Sequence, residues 1–388
     1  MGLFSKKSTP EPVLAPAAPR AVSLPTGERG AFAPIGDILR LAVESNASDI
    51  HLTVGSPPVF RINGALIRLE TRALFAEDTD NFARDLANGT QIHALQTEGS
   101  VDFAMTHDGR NRFRVSLYKQ KGTTAMAMRL LPKRMLAMDE IGLPPIASEL
   151  IRMPRGLVLV TGPTGSGKTT TLAAMLNAIN ASLGDHIVTI EDPVEYIHEH
   201  QSGMVNQREV GTDVPSFPEG LRRTLRQDPD VILVGEMRDL ETMETAIRAA
   251  ETGHLVFSTL HTTGAGRTVD RIVDSFPSHQ QEQIRVQLST NLKAVISQLL
   301  VPRIDRPGRI AVFEIMVNTH AVAALIRDNK TFRIATEIQT GAKVGMVTIE
   351  QSLVDLYLAG IIAREEVFSK AQDPELAAQL LAGRESRR

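Results

Sequence analysis

The sequence contains no cysteine and no tryptophan, and only 4% of its residues are aromatic. The absence of cysteine excludes disulfides, thiol catalysis and cysteine-ligated zinc, and it suits a reducing cytoplasm. Neither sign of charge dominates, because the chain has 42 Lys and Arg residues in total and 45 Asp and Glu residues. The chain therefore has no general attraction to nucleic acid or anionic lipid, and such binding would need a local basic patch.

Long apolar runs are also missing. The runs 156–160 and 231–234 are far shorter than the roughly 20 residues that cross a bilayer. The first residues contain no apolar core of secretory length before a proline-rich stretch. We expect a soluble protein that stays in the cytoplasm.

The chain of 388 residues is long enough for two domains with substantial cores. Residues 8–30 are dominated by Pro, Ala, Ser and charge, which predicts a flexible segment. The pattern of the remaining residues predicts α/β architecture with an N-terminal α+β domain. The expected divisions are a disordered tail over 1–30, the α+β domain over 31–132, a linker over 133–150, an ATPase-like domain over 151–345 and a helical region over 346–388.

Alternating apolar and polar residues predict antiparallel strands in the first domain. A short helix is expected before them, because Ile35, Ile38, Leu39 and Ala42 share one helical face. A longer helical segment is expected over 78–96. Turn signals between strands occur at Asn63–Gly64, Asp108–Gly109 and Lys121–Gly122.

Continuous apolar runs predict a different kind of sheet in the second domain. Five such runs are GLVLVT, HIVTIED, DVILVGE, HLVFSTLH and RIAVFEIM. Runs without alternation are typical of strands buried on both faces, and helical segments lie between them. This order predicts a mainly parallel sheet covered by helices. Ser216 and Asp239 are predicted to cap the helices that follow them.

Residues 162–169 fit the pattern G-x-x-x-x-G-K-[ST], with a strand before it and a helix after it. Backbone amides of such a loop surround a β-phosphate, Lys168 neutralises β and γ oxygens, and the Thr169 hydroxyl takes a magnesium position. The alternative is a glycine turn that binds nothing. The predicted ATP-binding residues are Gly162, Pro163, Thr164, Gly165, Ser166, Gly167, Lys168, Thr169 and Thr170.

Acidic residues follow two of the predicted strands. Glu236 comes directly after one buried strand, and Glu191, Asp192 and Glu195 end or follow another. Cleavage of a triphosphate needs an oriented water and a held metal, which acids at neighbouring strand ends can supply. A single acid at a strand end is more often a helix cap or a solvated side chain. Two acidic strand ends beside a phosphate loop favour catalysis.

Histidines and arginines give further candidates. His254 opens one strand and His261 closes it, so either could sense a γ-phosphate, although a strand histidine is usually only structural. Arg110, Arg112 and Arg114 alternate along a strand of the first domain, with Arg129 a strand later. Alternating arginines often form only a solvated face. The other reading is an arginine that stabilises the transferring phosphoryl group across a domain or subunit boundary.

The order of the segments resembles the retraction ATPases of type IV pili, the PilT family. The resemblance runs from about Ile35 to about Phe368. It rests on the loop at 162–169 and on the segments TIEDPVEYIH, VNQREVG, LRQDPDVILVGEMRD and AAETGHLVFSTLHTT. The resemblance implies a PAS-like N-terminal domain, a RecA-like P-loop motor and a homohexameric ring.

The resemblance also implies residue roles. It makes Glu236 the catalytic glutamate, Glu191 its Asp-box partner and His254 with His261 the His-box pair. Arg112, Arg114 and Arg129 match nucleotide-contacting arginines of the family. Mg²⁺ would be held by Thr169, Glu191 and Glu236, partly through water.

The resemblance implies that the protein uses ATP hydrolysis to power pilus retraction. It would do so at the cytoplasmic face of the inner membrane, at the pilus base. The implied partners are a PilC-like platform protein and a sister retraction ATPase. One segment departs from the family: its signature Ala-Ile-Arg-Asn-Leu-Ile is AVAALI at 321–326. The segments LRQDPD and ETMETAI resemble the sister ATPase PilU, so an auxiliary PilU-like role is an alternative.

Three other classes are weaker. Assembly and secretion ATPases of the superfamily typically carry a tetracysteine zinc element, which this chain lacks. A nucleic-acid translocase would need a basic channel or stacking aromatics, so no nucleic-acid partner is expected. A ring component that binds nucleotide without hydrolysing it would not need the acids found here.

Overall fold

A computed structural model describes residues 32–385. They divide into two compact units, the first ending at Leu131 and the second beginning at Pro132. The tail predicted for residues 1–30 lies outside the described residues. None of the described helices is long and apolar enough to cross a membrane.

The first unit is an α+β fold around one antiparallel sheet. Its helices are α1 Ile35–Glu44, α2 Ala76–Leu86 and α3 Gly89–Thr97. Its strands are β1 Asp49–Leu52, β2 Val59–Ile62, β3 Ala65–Arg68, β4 Ser100–His107, β5 Asn111–Gln120 and β6 Thr123–Leu130. The strand order is β3-β2-β1-β6-β5-β4, and every pair is antiparallel.

Local signals explain most of this unit. The four residues predicted to share a face of α1 are all buried. Asn63, Asp108 and Lys121 each have a φ near 50° and precede a glycine of positive φ, as tight hairpins require. The helical segment predicted over 78–96 is two helices: the first ends at Leu86, and Asn88 caps the second by accepting a bond from the Gln91 amide.

The second unit is a larger α/β fold. Its strands are β7 Gly156–Thr161, β8 His186–Glu191, β9 Met204–Glu209, β10 Val231–Val234, β11 Leu255–Leu260, β12 Leu292–Pro302 and β13 Arg309–Val317. Its helices are α4 Ala147–Leu150, α5 Lys168–Ser182, α6 Phe217–Thr224, α7 Leu240–Glu251, α8 Ala265–Asp274, α9 Gln281–Asn291, α10 His320–Arg327, α11 Ile334–Thr340, α12 Ile349–Leu358, α13 Arg364–Lys370 and α14 Pro374–Glu385. Short 3₁₀ turns occupy Thr331–Arg333 and Gly341–Val344.

The seven strands form one mainly parallel sheet in the order β13-β12-β7-β11-β10-β8-β9. Only the β12–β13 pair is antiparallel. The five strands predicted from apolar runs are all present. β9 and β12 are not among the predicted strands, and between β11 and β13 the sequence pattern predicts helix where the structure also has β12.

The sheet is buried on both faces, as the continuous apolar runs predict. Along β7, Leu157 and Leu159 pack into one core cluster, while Val158 and Val160 pack into another. Predicted caps are also confirmed: the side chains of Ser216 and Asp239 accept bonds from backbone amides at the starts of α6 and α7.

Part of the segment predicted as a linker belongs to the second unit. Leu143, Ala147 and Leu150 are buried in the same cluster as Val158 and Val160. Ala147 and Leu150 lie on the single-turn helix α4, and Leu143 lies in the segment just before it. The helices after residue 349 add a separate small core against β12 and β13.

Candidate functional site

The phosphate loop connects the end of β7 to the start of α5. Gly162, Gly165 and Gly167 have φ values of 142°, 79° and 90°, which residues with a side chain rarely adopt. Gly167 is the N-cap of the 15-residue helix α5. The predicted residues from Gly162 to Thr170 therefore form one turn whose last amides lie at a helix N-terminus, a favourable place for an anion.

The Lys168 ammonium lies against the loop itself. Its Nζ donates to the carbonyl oxygens of Gly162 at 2.9 Å and Pro163 at 3.2 Å. Burial lowers the pKa of Lys168, and the nearby charges of Glu236 and Glu195 oppose that shift. A phosphate would offer the ammonium stronger, charge-assisted partners than these neutral carbonyls.

Glu236 and His261 lie at the same edge of the sheet as the loop. β11 lies between β7 and β10, and all three are parallel, so their carboxyl ends adjoin. His261 Nε2 is 3.5 Å from Glu236 Oε2, and Arg238 Nε is 2.6 Å from the same oxygen. The structure thus brings together three sequence candidates: Lys168, Glu236 and His261.

Glu191 ends β8, two strands from β11, and is almost fully buried. Burial raises its pKa to about 7. Thr189 Oγ1 donates to Glu191 Oε1 at 2.8 Å, and Gln207 Nε2 donates to it at 3.2 Å. The charge of Glu195 also raises this pKa, so Glu195 lies close to both Glu191 and Lys168.

Sequence reasoning missed two polar side chains of this region. Gln207 on β9 also donates to the Tyr196 carbonyl at 2.8 Å and accepts from the His198 amide at 2.8 Å. The Tyr196 hydroxyl lies 3.0 Å from Thr170 Oγ1 on α5. Together these bonds tie the acidic segment after β8 to the helix of the phosphate loop. Recognising β9 as a strand would have placed Gln207 beside Glu191.

His254 lies at the opposite edge of the sheet. It precedes β11, and its carbonyl accepts from the Gly156 amide at the start of β7. The six-residue strand separates it from His261 by roughly 20 Å. Its Nδ1 is 3.0 Å from the Ala249 carbonyl oxygen. The fold of a single chain therefore does not bring His254 to the phosphate loop.

Of the four candidate arginines, three lie on adjacent strands of the first unit, whereas Arg110 lies in the turn between β4 and β5 and not on a strand. Arg114 on β5 is directly opposite Arg129 on β6, and Arg112 lies two residues from Arg114 on the same face. Arg129 Nε donates to Asp49 Oδ1 at 2.9 Å. Arg114 and Arg129 are exposed and Arg112 is half-buried. The phosphate loop belongs to the second unit.

The loop fits a nucleotide triphosphate. A Cβ at Gly165 would meet nothing within 4 Å, so one side of the loop is open. The Ser166 hydroxyl is buried without a hydrogen-bond partner and lies 2.7 Å from where a Cβ of Gly162 would be. Among residues 32–385, no group of three or more His, Asp or Glu could hold a metal ion. A phosphate-loop Mg²⁺ typically takes a loop hydroxyl, phosphate oxygens and a strand-end acid, and Thr169, Glu191 and Glu236 are residues of those kinds.

Comparison with known proteins agrees with this site. The family model described as "Type II/IV secretion system protein" matches residues 32–368. The type IV pilus retraction ATPase PilT of Pseudomonas aeruginosa is 45% identical over 341 residues, covering 88% of this chain and 99% of that protein. A twitching motility protein of Neisseria gonorrhoeae is 46% identical over 318 residues, covering 82% of this chain and 85% of the relative.

A solved structure is similar over the same range. The crystal structure of the pilus retraction motor PilT with bound ADP has a TM-score of 0.83 and 46% identity, covering 89% of this chain and 98% of that one. The matched residues 32–368 include parts of both units. The chain therefore belongs to the PilT family of retraction ATPases within the Type II/IV secretion system proteins.

Proposed function

We propose that this chain is the ATP-hydrolysing subunit of a homohexameric motor that powers retraction of a type IV pilus. One observation carries the catalytic part of the proposal: Lys168, Glu236 and His261 meet at one edge of a parallel sheet, beside an open glycine loop. Family membership, and the retraction and twitching functions in the names of its relatives, support the mechanical part.

The chain's own residues divide the chemistry among them. Amides of residues 165–169 and the Lys168 ammonium bind the β- and γ-phosphates. Glu236 orients a water for attack on the γ-phosphorus and accepts its proton as the bond to the β-phosphate oxygen breaks, giving ADP and phosphate. His261 and Arg238 hold the Glu236 carboxylate in place.

Mg²⁺ would be held by the Thr169 hydroxyl, with Glu191 and Glu236 contributing partly through water. Bound there, it would neutralise charge that develops on the phosphate oxygens. Glu191 is suited to a site that alternates between filled and empty, because its buried carboxyl ionises near neutral pH and a divalent cation would favour the ionised form.

The first test is Glu236→Gln. We expect ATP binding to persist and turnover to fall about a hundredfold or more, because the amide no longer takes the proton of the attacking water. Nucleotide titration and phosphate release measure the two effects separately. Glu244→Gln, on the exposed face of α7, is the matched control and should hydrolyse ATP like the wild type. Turnover at the wild-type rate in Glu236→Gln would remove the assignment.

We also propose that the arginines of the first unit stabilise phosphoryl charge on a neighbouring subunit of the ring. Arg112→Ala should then lower kcat by about tenfold or more while changing nucleotide affinity by less than about threefold. Arg68→Ala, on an exposed position of the same sheet, should leave both unchanged. Equal losses of rate and affinity would identify Arg112 as a simple nucleotide binder.

For His254, a catalytic role stays a prediction.

The proposed partners are a PilC-like inner-membrane platform protein and a sister retraction ATPase, and the proposed place is the cytoplasmic face of the membrane at the pilus base. The altered segment 321–326 lies within α10, where Val322 and Ile326 are buried.

A deletion strain that makes pili but does not twitch would support retraction by this protein. A strain that lacks pili would indicate an assembly motor, and one with weakened twitching only under load would indicate the auxiliary, PilU-like role.

A further inference from the structure

Gln298 is a buried amide on β12, the strand beside the phosphate-loop strand β7. Its residue is 2% exposed. In the parallel register Ser297 is opposite Thr161, so Gln298 lies level with Gly162, where the loop begins. None of the sequence motifs includes this residue.

The Gln298 side chain joins the loop to its helix. Its Nε2 donates to the Ser166 carbonyl oxygen at 2.6 Å, and its Oε1 accepts from Thr171 Oγ1 at 2.8 Å. Ser166 lies in the last turn of the loop and Thr171 in the first turn of α5. One rigid amide therefore fixes the chain on both sides of Gly167 and Lys168.

The loop also closes tightly around Gln298. A Cβ added at Gly162 would overlap the Gln298 carbonyl oxygen, and one at Gly167 would lie 3.2 Å from Nε2. Two of the three motif glycines thus face this one residue. Their lack of a side chain allows the loop to approach β12, in addition to allowing positive φ.

These contacts matter for phosphate binding because the loop acts through the direction of its amides. Fixing the Ser166 carbonyl fixes the plane of the Ser166–Gly167 peptide, and hence the direction of the Gly167 N–H. Amides that already point at the phosphate need no reorganisation when it binds. Without the amide of Gln298, the buried Ser166 carbonyl would lose its partner and the peptide could turn.

We infer that Gln298 is a positioning residue that holds the phosphate loop in its nucleotide-binding conformation. The inference rests on the proposed function only in taking residues 162–170 as the nucleotide site. Gln298 itself touches loop and helix, and it acts through them.

The test compares Gln298→Met with a matched control whose amide binds at the other end of β12. Methionine has a similar length but neither donates nor accepts well. The control is Asn318→Leu: Asn318 Nδ2 donates to the carbonyls of Ser289 at 3.0 Å and Leu292 at 2.7 Å, at the far end of β12. Both variants thus remove an amide that binds backbone carbonyls of this unit, but only one is at the loop.

Three readouts are taken on the full chain: affinity for Mg²⁺·ADP, thermal midpoint without nucleotide, and amide hydrogen exchange of residues 162–171. Gln298→Met should weaken ADP binding by about tenfold, the scale of one lost buried hydrogen bond, and should speed exchange in 162–171. The thermal midpoint of Gln298→Met should fall no further than the thermal midpoint of Asn318→Leu. The ADP affinity of Asn318→Leu should stay within about twofold of the wild type.

ADP binding by Gln298→Met at wild-type strength would overturn the inference, as would an equal loss in Asn318→Leu, which would point to general destabilisation. If Gln298→Met does not fold, Thr171→Val decides: it deletes one bond to the amide, so about threefold weaker ADP binding supports the inference and unchanged binding overturns it. Failure of the proposed function is seen separately, because wild-type protein would then bind ADP without hydrolysing ATP.

Discussion

Glu191 is a carboxyl group held out of water at the end of β8, where two neutral side chains donate to it. Two donors lower its pKa, but the loss of hydration outweighs them and the pKa rises from 4.5 to about 7. Between these two values the folded chain holds a proton that the unfolded chain has released. Stability must then fall as the pH rises through this window.

Glu191→Gln should remove this pH dependence, because the amide is neutral at every pH. At pH 8 we expect the variant to be more stable than the wild type by at most about 3 kcal/mol, with the difference shrinking towards pH 5. Urea unfolding of nucleotide-free protein at both pH values measures it. Glu244→Gln is the control, since that exposed side chain makes a surface ion pair with Arg248, an interaction that contributes little to stability. A variant less stable than the wild type at pH 8, or a stability difference that does not change with pH, would contradict the prediction.

Single residues differ in how far the sequence reveals them. Lys168 and Glu236 are identifiable because a motif or a strand end fixes their place relative to the phosphate loop. Gln207 and Gln298 are not, because neutral amides are common and their roles come from register between strands far apart in the chain. His254 is a sequence candidate that the structure does not bring to the loop. It lies in the segment AAETGHLVFSTLHTT together with His261, but the two histidines are at opposite ends of β11 and therefore at opposite edges of the sheet.

At the scale of elements, β12 is the strand that organises the site. Ser297 and Gln298 point to opposite faces of the sheet. Ser297 Oγ accepts from the Gly264 amide at 3.0 Å, behind the loop that carries His261, while Gln298 binds the phosphate loop. Glu314, opposite Ser297 on β13, accepts from the Ala265 amide at 2.8 Å. One strand therefore anchors both loops whose relative position brings His261 to the nucleotide site.

β12 was missed for a physical reason. Its sequence LKAVISQLLVP is apolar without strict alternation, and it follows α9 with no glycine or proline between them. Such a run is compatible with a buried helix as well as a buried strand. Parallel pairing with β7 decides the outcome, and no local signal contains that information. Hairpins of the first unit were predictable because each has a glycine at its turn.

At the scale of the molecule, the two units have separate cores. One cluster is built from residues between Ile35 and Met128, and the clusters of the second unit begin at Leu143. The sequence indicated this division through its two kinds of strand, alternating in one unit and continuous in the other. It could not give the sheet order of either unit, because order depends on which strands pair.

Nucleotide should therefore stabilise the units unequally. Mg²⁺·ADP at about 100 times its Kd adds about 2.7 kcal/mol to the free energy of unfolding of the unit that binds it. We expect amide exchange to slow in β7 and α5, which flank the phosphate loop, and to stay unchanged in β5 of the first unit. Native-state hydrogen exchange with and without ADP measures both in one sample. Lys168→Ala, which removes the ammonium from the loop, should abolish the protection in β7 while leaving β5 as it was. Equal slowing in β5 and β7 would contradict the prediction, because it would mean that the two cores open together rather than separately.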